Sequence, residues 1–173
     1  SENKKIYNRL VWITKKLEIF TYDKRHLFSL VNEDKLLNRG NKRLIIEQDG
    51  WKICPLICYD LRFPVFSRNN VNYDILIYLA NWPKKRIDAW NTLLEARSIE
   101  NQCVTIGVNR VGQDKKGVLY NGMSKVYDAL GNRLLSCSKN KEEVYTVILD
   151  KQTVNAQKSK LNFLKDIDNF TVH

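Results

Sequence analysis

The chain has 173 residues, of which 43% are hydrophobic, and it carries a formal net charge of +10 at pH 7. A chain of this length and hydrophobic content can bury one sizeable core, which excludes a disordered tail and predicts a single domain over residues 1–173. No apolar run approaches the ~20 residues of a membrane-spanning helix, and residues 1–5 lack the apolar region of a signal peptide, so we expect a cytoplasmic location and no membrane partner.

The positive charge does not by itself indicate a nucleic-acid partner. Basic residues gather only in short runs, at 15–16, 84–86 and 115–116, and no recognition helix, zinc finger or RNA-binding motif accompanies them. The alternative, a basic nucleic-acid-binding domain, would bind with a steep salt dependence. We interpret the charges as solvated surface and expect no nucleic-acid partner.

The spacing of the cysteines predicts free thiols. Cys54, Cys58, Cys103 and Cys137 include no CxxC pair and no metal-type spacing with histidine. A reducing compartment would keep all four reduced. We therefore expect neither a disulfide nor a zinc site.

Hydrophobic periodicity predicts strands interleaved with helices, which is typical of an α/β layer architecture. Strands are predicted at 10–13, 18–22, 43–48, 51–57, 75–79, 103–109, 122–127, 133–136 and 144–149, and helices at 60–68 and 87–101. Residues 29–42 are polar and have no clear period, as in a loop that covers a site. The chain from residue 151 onward is polar and rich in lysine, and no element is predicted there.

Two of the predicted strands end in residues suited to a catalytic site. The strand at 51–57 stops at Cys58, so it would deliver the sulfur to a sheet edge where the following backbone N–H groups can hold an oxyanion. The strand at 75–79 is followed by Asn81 and Trp82, which would line a pocket at the same kind of edge. Cys58 as a core cysteine and Trp82 as a core aromatic are the alternatives.

Four segments, in this order along the chain, resemble motifs of a known family. They are YDKRHLF at 22–28, ICPLICYDLRFP at 53–64, YLANWP at 78–83 and EARSIENQ at 95–102. Together they resemble the carbon–nitrogen hydrolase, or nitrilase, superfamily, and within it the omega-amidase branch, which hydrolyses the terminal amides of 2-oxo acids. The resemblance runs from about residue 7 to residue 170. It implies an α/β fold, the four-layer α-β-β-α sandwich of the superfamily.

The resemblance also implies roles for individual residues. The family works with a Glu–Lys–Cys triad, in which Cys58 matches the nucleophile and Lys24 the lysine. Glu33 best matches a second family glutamate, which would steady the site or the departing amine. Lys24 and the backbone N–H of Tyr59 would hold the oxyanion.

The residues that follow the nucleophile have two interpretations. Asp60 and Arg62 are expected to form a structural ion pair near the turn. Alternatively, Arg62 would lie near a carboxylate of the substrate, together with Asn81 and Trp82 in a substrate-binding group.

The general-base glutamate of the family matches no residue of this chain. The match begins with the strand at 10–13, which the family places in mid-domain, and Glu2 is too close to that strand to act as the base. We therefore expect the chain to correspond to the C-terminal two thirds of a family member, with the N-terminal part of the domain absent.

These assignments predict a thiol amidohydrolase that releases ammonia through a cysteine thioester, without a metal or organic cofactor. A short 2-oxo acid with a terminal amide, such as 2-oxoglutaramate or 2-oxosuccinamate, is the expected substrate, and homo-oligomers, commonly dimers, are implied. Another amidase or a carbamoylase of the superfamily is the alternative. A hypothesis of a different class is a non-catalytic fragment that acts by association.

His26 offers a further alternative, in which it would serve as the base for a Cys58 thiolate. It is the only histidine besides His173. No other part of a papain-type signature accompanies it. The preferred interpretation is that His26 points to the same side as Lys24 or packs beneath it.

Overall fold

A computed structural model describes residues 5–171 as a mixed α/β fold. Glu2 and His173 lie outside these residues. The strands are β1 (Arg9–Ile13), β2 (Ile19–Asp23), β3 (Ile46–Gln48), β4 (Trp51–Ile57), β5 (Ile75–Ala80), β6 (Val104–Asn109), β7 (Val111–Gln113), β8 (Leu119–Asn121), β9 (Lys125–Tyr127) and β10 (Arg133–Ser136). The α-helices are α1 (Glu33–Leu36), α2 (Pro64–Ser67), α3 (Ile87–Asn101) and α4 (Lys151–Leu161), and 3-10 helices span Ser29–Val31, Cys58–Arg62, Lys84–Arg86 and Phe163–Asp166. Within residues 5–171, no helix has the length and apolar character needed to cross a membrane.

Six strands form the main sheet, in the order β10-β9-β6-β5-β4-β3. The three central strands are parallel, with Ile57 of β4 opposite Leu79 of β5. Neighbouring parallel strands bring their carboxyl ends to one edge of a sheet. The residues that follow β4 and β5, beginning with Cys58 and Asn81, are therefore brought to the same edge.

Helix α3 connects β5 to β6 and covers one face of the sheet. Its side chains Trp90 and Leu94 are fully buried in the core. The helix approaches β6 closely at Gly107, where an added Cβ would lie 2.4 Å from Leu94 Cδ1. Glycine is needed there because any side chain would push the helix off the sheet.

Two antiparallel hairpins complete the strands. β1 pairs with β2, and Lys24 follows directly after β2. β7 pairs with β8 and follows directly from β6. Both hairpins contribute residues to the cleft at the carboxyl edge of the main sheet.

The α/β fold class is confirmed, while several short elements differ from their predictions. The helix predicted at 60–68 is divided into the 3-10 turn Cys58–Arg62 and α2, because Pro64 lacks an N–H and disfavours helical backbone at the preceding residue. The strand predicted at 43–48 is only β3. The segment 29–42, predicted as a loop, contains Ser29–Val31 and α1.

The predictions after β6 differ for a backbone reason. The strand predicted at 122–127 begins only at Lys125, because Gly122 (φ 71°) and Met123 (φ 62°) have left-handed backbone that interrupts a ladder. Residues 111–121, for which no strand was predicted, form β7 and β8.

The C-terminal predictions are wrong in two places. Residues 144–149 form no strand among the described residues, although Val147 and Leu149 pack against the core. Residues 151–161 form α4 instead of an irregular tail, and the Asp150 carboxylate caps this helix by accepting the Thr153 N–H at 2.6 Å.

Asp74 fastens α4 to the main sheet. Its carboxylate accepts hydrogen bonds from the Lys52 N–H at 3.0 Å, from Lys158 Nζ at 3.2 Å and from Lys151 Nζ. Burial alone would raise the pKa of the Asp74 carboxyl, but these hydrogen bonds outweigh burial and hold the pKa below its ordinary value. A lowered carboxyl pKa stabilises the fold above the unfolded-state pKa of roughly 4, and this stabilisation is lost as the pH falls through the folded-state pKa.

We expect Asp74→Asn to lower the free energy of unfolding at pH 7 by about 1–3 kcal/mol, because the lysines lose their charged acceptor. The loss should shrink as the pH falls through the lowered pKa of Asp74, because the wild-type carboxyl then also becomes protonated. Urea denaturation at several pH values measures both effects. Asp168→Asn, at an exposed carboxyl, is the control; an equal loss in the two variants would contradict the role of Asp74.

Candidate active site

The turn after β4 holds Cys58 in an unusual backbone conformation. Cys58 has φ 44°, in the left-handed region, and begins the 3-10 helix Cys58–Arg62. Such conformations are uncommon outside glycine and cluster at functional sites. The Asp60 carboxylate stabilises the turn by accepting the Ile57 N–H at 3.0 Å.

Lys24 and Glu33 form an ion pair in the same region. Lys24 is 4% exposed, and its Nζ lies 2.6 Å from Glu33 Oε2. Glu33 also accepts hydrogen bonds from Asn8 Nδ2 at 2.9 Å and from the Phe28 N–H at 2.7 Å. Burial alone would raise the pKa of Glu33, but these three donors outweigh it and lower the pKa. The Glu33 carboxyl is therefore charged at neutral pH.

The Cys58 thiol experiences opposing influences. Burial raises its pKa, while the Lys24 ammonium and the backbone N–H of Asn81 lower it, and the net pKa lies above the ordinary value. The thiol is therefore largely protonated at neutral pH. Because the thiolate is the nucleophile, chemistry at Cys58 needs a base to take this proton.

One cleft of about 1660 Å³ brings the predicted site residues together. It lies where β4 and β5 end, and the β1–β2 and β7–β8 hairpins contribute to its walls. The sequence-predicted residues that line it are Lys24, Glu33, Cys58, Tyr59, Arg62, Asn81 and Trp82.

Trp82 fits both interpretations given to it. It is 3% exposed, and its ring packs on Trp90 with centroids 5.5 Å apart, as expected of a core aromatic. It also lines the cleft, and the Arg62 guanidinium lies 5.0 Å from its ring centroid. The stacked ring holds the Arg62 cation at the cleft.

The predicted ion pair between Asp60 and Arg62 is wrong. The two side chains leave the 3-10 turn in different directions, because Asp60 is fully buried and Arg62 lines the cleft. Asp60 instead accepts hydrogen bonds from Tyr22, His26 and the backbone of Ile57.

His26 lies on the buried side of the site. Its Nδ1 is 2.8 Å from Asp60 Oδ1, and its ring stacks on Phe63 at 3.8 Å. His26 is not among the residues that line the cleft. This geometry favours the packing interpretation over a role as base for Cys58.

We expect His26→Ala to lower the turnover rate by about 3- to 10-fold, the cost of one hydrogen bond to Asp60. Cys58→Ala should remove turnover entirely. Initial rates of amide hydrolysis for the two variants, measured side by side, give the comparison. Equal and complete loss in both would favour a Cys–His mechanism.

The β7–β8 hairpin adds cleft residues for which no role was predicted. Tyr120 donates a hydrogen bond to Asp114 at 3.0 Å, and the Arg110 guanidinium lies 4.7 Å from the Tyr120 ring centroid. On another wall, the Arg86 guanidinium lies 5.2 Å from the Phe28 ring centroid. A local signal for the hairpin exists, because the turn-prone run of residues 114–117 separates two short β-prone segments.

The other cysteines are free thiols away from this chemistry. Cys54 and Cys103 are fully buried, and burial raises the pKa of each to about 12. Cys137 is half-buried and does not line the cleft. Among residues 5–171, no group of three or more His, Cys, Asp or Glu side chains is arranged to hold a metal ion.

Comparison with known proteins identifies the family of the chain. Residues 1–159 match the model of the carbon-nitrogen hydrolase family. The chain is 41% identical to the omega-amidase YafV of Yersinia enterocolitica over 163 residues, and 33% identical to the 2-oxoglutaramate amidase of Bacillus subtilis over 169 residues. These alignments cover 94% and 96% of the chain, and the chain spans 64% of each of these curated relatives.

A solved structure extends the likeness to three dimensions. It is a CN-hydrolase superfamily protein of Xanthomonas campestris with an arsenic adduct in its active site, and it matches with a TM-score of 0.96 and 39% identity. The match covers 100% of this chain and 68% of that protein. The family model and this fold agree, and the chain belongs to the carbon–nitrogen hydrolase family, with the α/β fold of the nitrilase superfamily.

Proposed function

We propose that the protein is an omega-amidase, a thiol amidohydrolase that acts on the terminal amide of a short 2-oxo acid. The observation that carries the proposal is that one cleft holds both a cysteine in left-handed backbone and the ion pair of the buried Lys24 with the partly buried Glu33. The names of two relatives, omega-amidase and 2-oxoglutaramate amidase, support the substrate class.

In the proposed reaction, the Cys58 thiolate attacks the amide carbonyl carbon to form a tetrahedral intermediate. The Lys24 ammonium and the backbone N–H of Tyr59 stabilise its oxyanion. The intermediate collapses with loss of ammonia, leaving a thioester on Cys58. Water then attacks the thioester, which releases the carboxylic acid and regenerates the thiol.

Glu33 is poorly suited to take the thiol proton. Its carboxylate already accepts from Lys24, Asn8 and the Phe28 N–H. We assign it the role of orienting Lys24, with general-base catalysis left to the general-base glutamate of the family, which matches no residue of this chain. That glutamate would take the thiol proton, pass it to the leaving ammonia, and activate the water.

Stacked arginines in the cleft support an anionic substrate. Arg62, Arg86 and Arg110 each lie over an aromatic ring and line the cleft. The two acidic groups that line it, Glu33 and Asp114, are occupied by hydrogen-bond donors. We propose that Arg62 binds the carboxylate of the 2-oxo acid, and that Asn81 and Trp82 shape the pocket around the chain of the substrate.

The test is ammonia release from 2-oxoglutaramate and from butyramide, a neutral amide, by protein expressed from its full reading frame. We expect turnover of 2-oxoglutaramate with a kcat/KM at least about 10-fold above that of butyramide, since a charged hydrogen-bonded contact contributes about 1.5–3 kcal/mol. Equal rates would overturn the substrate assignment. Absence of turnover of both amides would overturn the omega-amidase proposal.

An association module is the second candidate, favoured by exposed apolar side chains on the β1–β2 hairpin. Val11, Ile13 and Ile19 are 54%, 60% and 66% exposed, and contiguous apolar surface of this kind marks interaction sites. For the enzyme we propose that residues 1–173 all belong to one carbon–nitrogen hydrolase domain, that the enzyme is cytoplasmic, and that it is a homodimer. Sedimentation of the protein from its full reading frame measures the oligomeric state.

A further inference from the structure

A single buried carboxylate joins the two chain segments that carry the proposed catalytic groups. Asp60 is fully buried and accepts four hydrogen bonds. They come from the Tyr22 hydroxyl at 2.7 Å, the Ile57 N–H at 3.0 Å, the His26 N–H at 3.0 Å and His26 Nδ1 at 2.8 Å. Hydrogen bonds to a charged, buried acceptor are among the stronger ones in proteins.

The donors flank the catalytic positions on both sides. Tyr22 and His26 lie two residues before and two residues after Lys24. Ile57 directly precedes Cys58 in the sequence, and Asp60 follows it by two residues. The Tyr22 hydroxyl also accepts the Arg25 N–H at 3.2 Å. The carboxylate therefore fastens the segment around Lys24 to the turn around Cys58.

Aromatic packing holds this network in place. The His26 ring is stacked parallel to Phe63 with centroids 3.8 Å apart, and it meets the edge of Phe66 at 5.3 Å. The ring thus has little freedom to leave Asp60. Because the His26 ring is confined in this way, it couples the position of the segment around Lys24 to that of the turn around Cys58.

We propose that Asp60 is a positioning residue, which acts through Tyr22 and His26 to hold the Lys24 ammonium beside the Cys58 sulfur. The inference rests on the proposed function, in which Lys24 favours the thiolate and binds the oxyanion. Misplacement of a catalytic group by about 1 Å can cost ~100-fold in rate. Asp60 touches neither substrate nor the reacting atoms in this scheme.

The pKa of Cys58 distinguishes the proposed positioning role of Asp60 from a direct effect of the Asp60 charge on the thiol. The groups that face Cys58 are the Lys24 ammonium, the Glu33 and Asp60 carboxylates and, from the β7–β8 hairpin, Tyr120. Asp60 itself raises the pKa of the thiol, so removing its charge with Lys24 in place would lower that pKa. Displacement of Lys24 would raise the pKa instead. The two effects have opposite signs.

The test is the pH dependence of Cys58 alkylation by iodoacetamide, resolved from Cys137 by peptide mass spectrometry. In Asp60→Asn we expect alkylation at pH 7 to slow by about 10-fold, the equivalent of one unit of thiol pKa. We also expect kcat on 2-oxoglutaramate to fall by about 10- to 100-fold with a smaller change in KM. Alkylation that is unchanged or faster in Asp60→Asn would overturn the proposal.

Asp128→Asn is the matched control. Asp128 is also buried and accepts four hydrogen bonds, from Leu130 and Asn132 N–H groups, Asn132 Nδ2 and Gln157 Nε2, and it does not line the cleft. This variant should lose stability while its Cys58 alkylation stays as in the wild type. Equal slowing in both variants would mean that general loosening of the fold is responsible, and would overturn the positioning role.

A second pair of variants keeps the carboxylate and changes one donor. His26→Ala removes the Nδ1 contact, whereas His26→Asn offers an N–H at nearly the same place. We expect slower alkylation in His26→Ala and recovery of most of the rate in His26→Asn, even if Asp60→Asn does not fold. Equal alkylation in wild type, His26→Ala and His26→Asn would overturn the proposal. Alkylation requires no amide turnover, so a failure of the proposed function, seen as absent ammonia release by the wild type, is distinguishable.

Discussion

Cys58→Ala is expected to abolish ammonia release from 2-oxoglutaramate, with a loss of at least about 10⁴-fold in kcat. Loss of the nucleophile removes the thioester route, and what is left is the smaller acceleration supplied by binding and oxyanion stabilisation. Cys58→Ser is expected to be nearly as inactive, because an alcohol is ionised far less than a thiol near neutral pH. Binding of the 2-oxo acid product, measured by calorimetry, should persist in both variants.

The matched control for this result is Cys137→Ala. Cys137 is the other cysteine that is not fully buried, and it lies outside the cleft. Its variant should keep the wild-type rate and the wild-type alkylation of Cys58. Ammonia release that survives in Cys58→Ala would contradict the thiol mechanism. Loss of activity in Cys137→Ala would show that the alkylation of Cys58 and the enzyme activity report on different sites.

The elements with strong local signals were predictable from the sequence. β4 and β5 are short runs rich in isoleucine and leucine, and apolar residues of α3 such as Ile87, Trp90 and Leu94 recur at roughly helical spacing. The segment 144–149 shows the limit of such signals. Its β-prone apolar residues favour a strand, and Val147 and Leu149 do pack against the core, but a strand also needs a hydrogen-bonded neighbour, which a local sequence cannot supply.

Helix α4 escaped prediction for a related reason. Val154 is its only buried residue, and the rest of the segment is mostly polar and rich in lysine, so few apolar residues mark it as a helix. Its attachment depends on Lys151 and Lys158, which reach Asp74 from 77 and 84 positions away in the sequence. Contacts of that separation are not visible in a local window.

The residues of the candidate site were predictable only where the sequence contains a family motif. Cys58 and Lys24 were assigned from the family resemblance. Their separation in the sequence does not give the distance between their side chains. Asp60 was paired with Arg62 because the two are neighbours in sequence. Its actual partners, Tyr22 and His26, lie 38 and 34 positions away and meet it only in the folded chain.

The second large expected effect is the loss of activity when Lys24 of the Lys24–Glu33 ion pair is replaced. Lys24→Met is expected to lower kcat by about 10³-fold, since removal of one oxyanion donor costs about 10²–10³-fold and the thiol also loses its neighbouring cation. The Lys24 ammonium lowers the pKa of Cys58, so its loss should move the alkylation profile to higher pH. Stability should fall by about 1–3 kcal/mol, because the partly buried Glu33 carboxylate loses its charged donor but keeps the hydrogen bonds from Asn8 and Phe28.

The double variant Lys24→Met with Glu33→Gln separates the two consequences. Without the carboxylate no charge is left without its ionic partner, so we expect most of the lost stability to return in urea denaturation. Activity and the alkylation profile should stay as in Lys24→Met, because the cation beside Cys58 is still absent. Recovery of kcat together with stability would mean that Lys24 acts only by holding the fold, and the proposed oxyanion role of Lys24 would then be wrong.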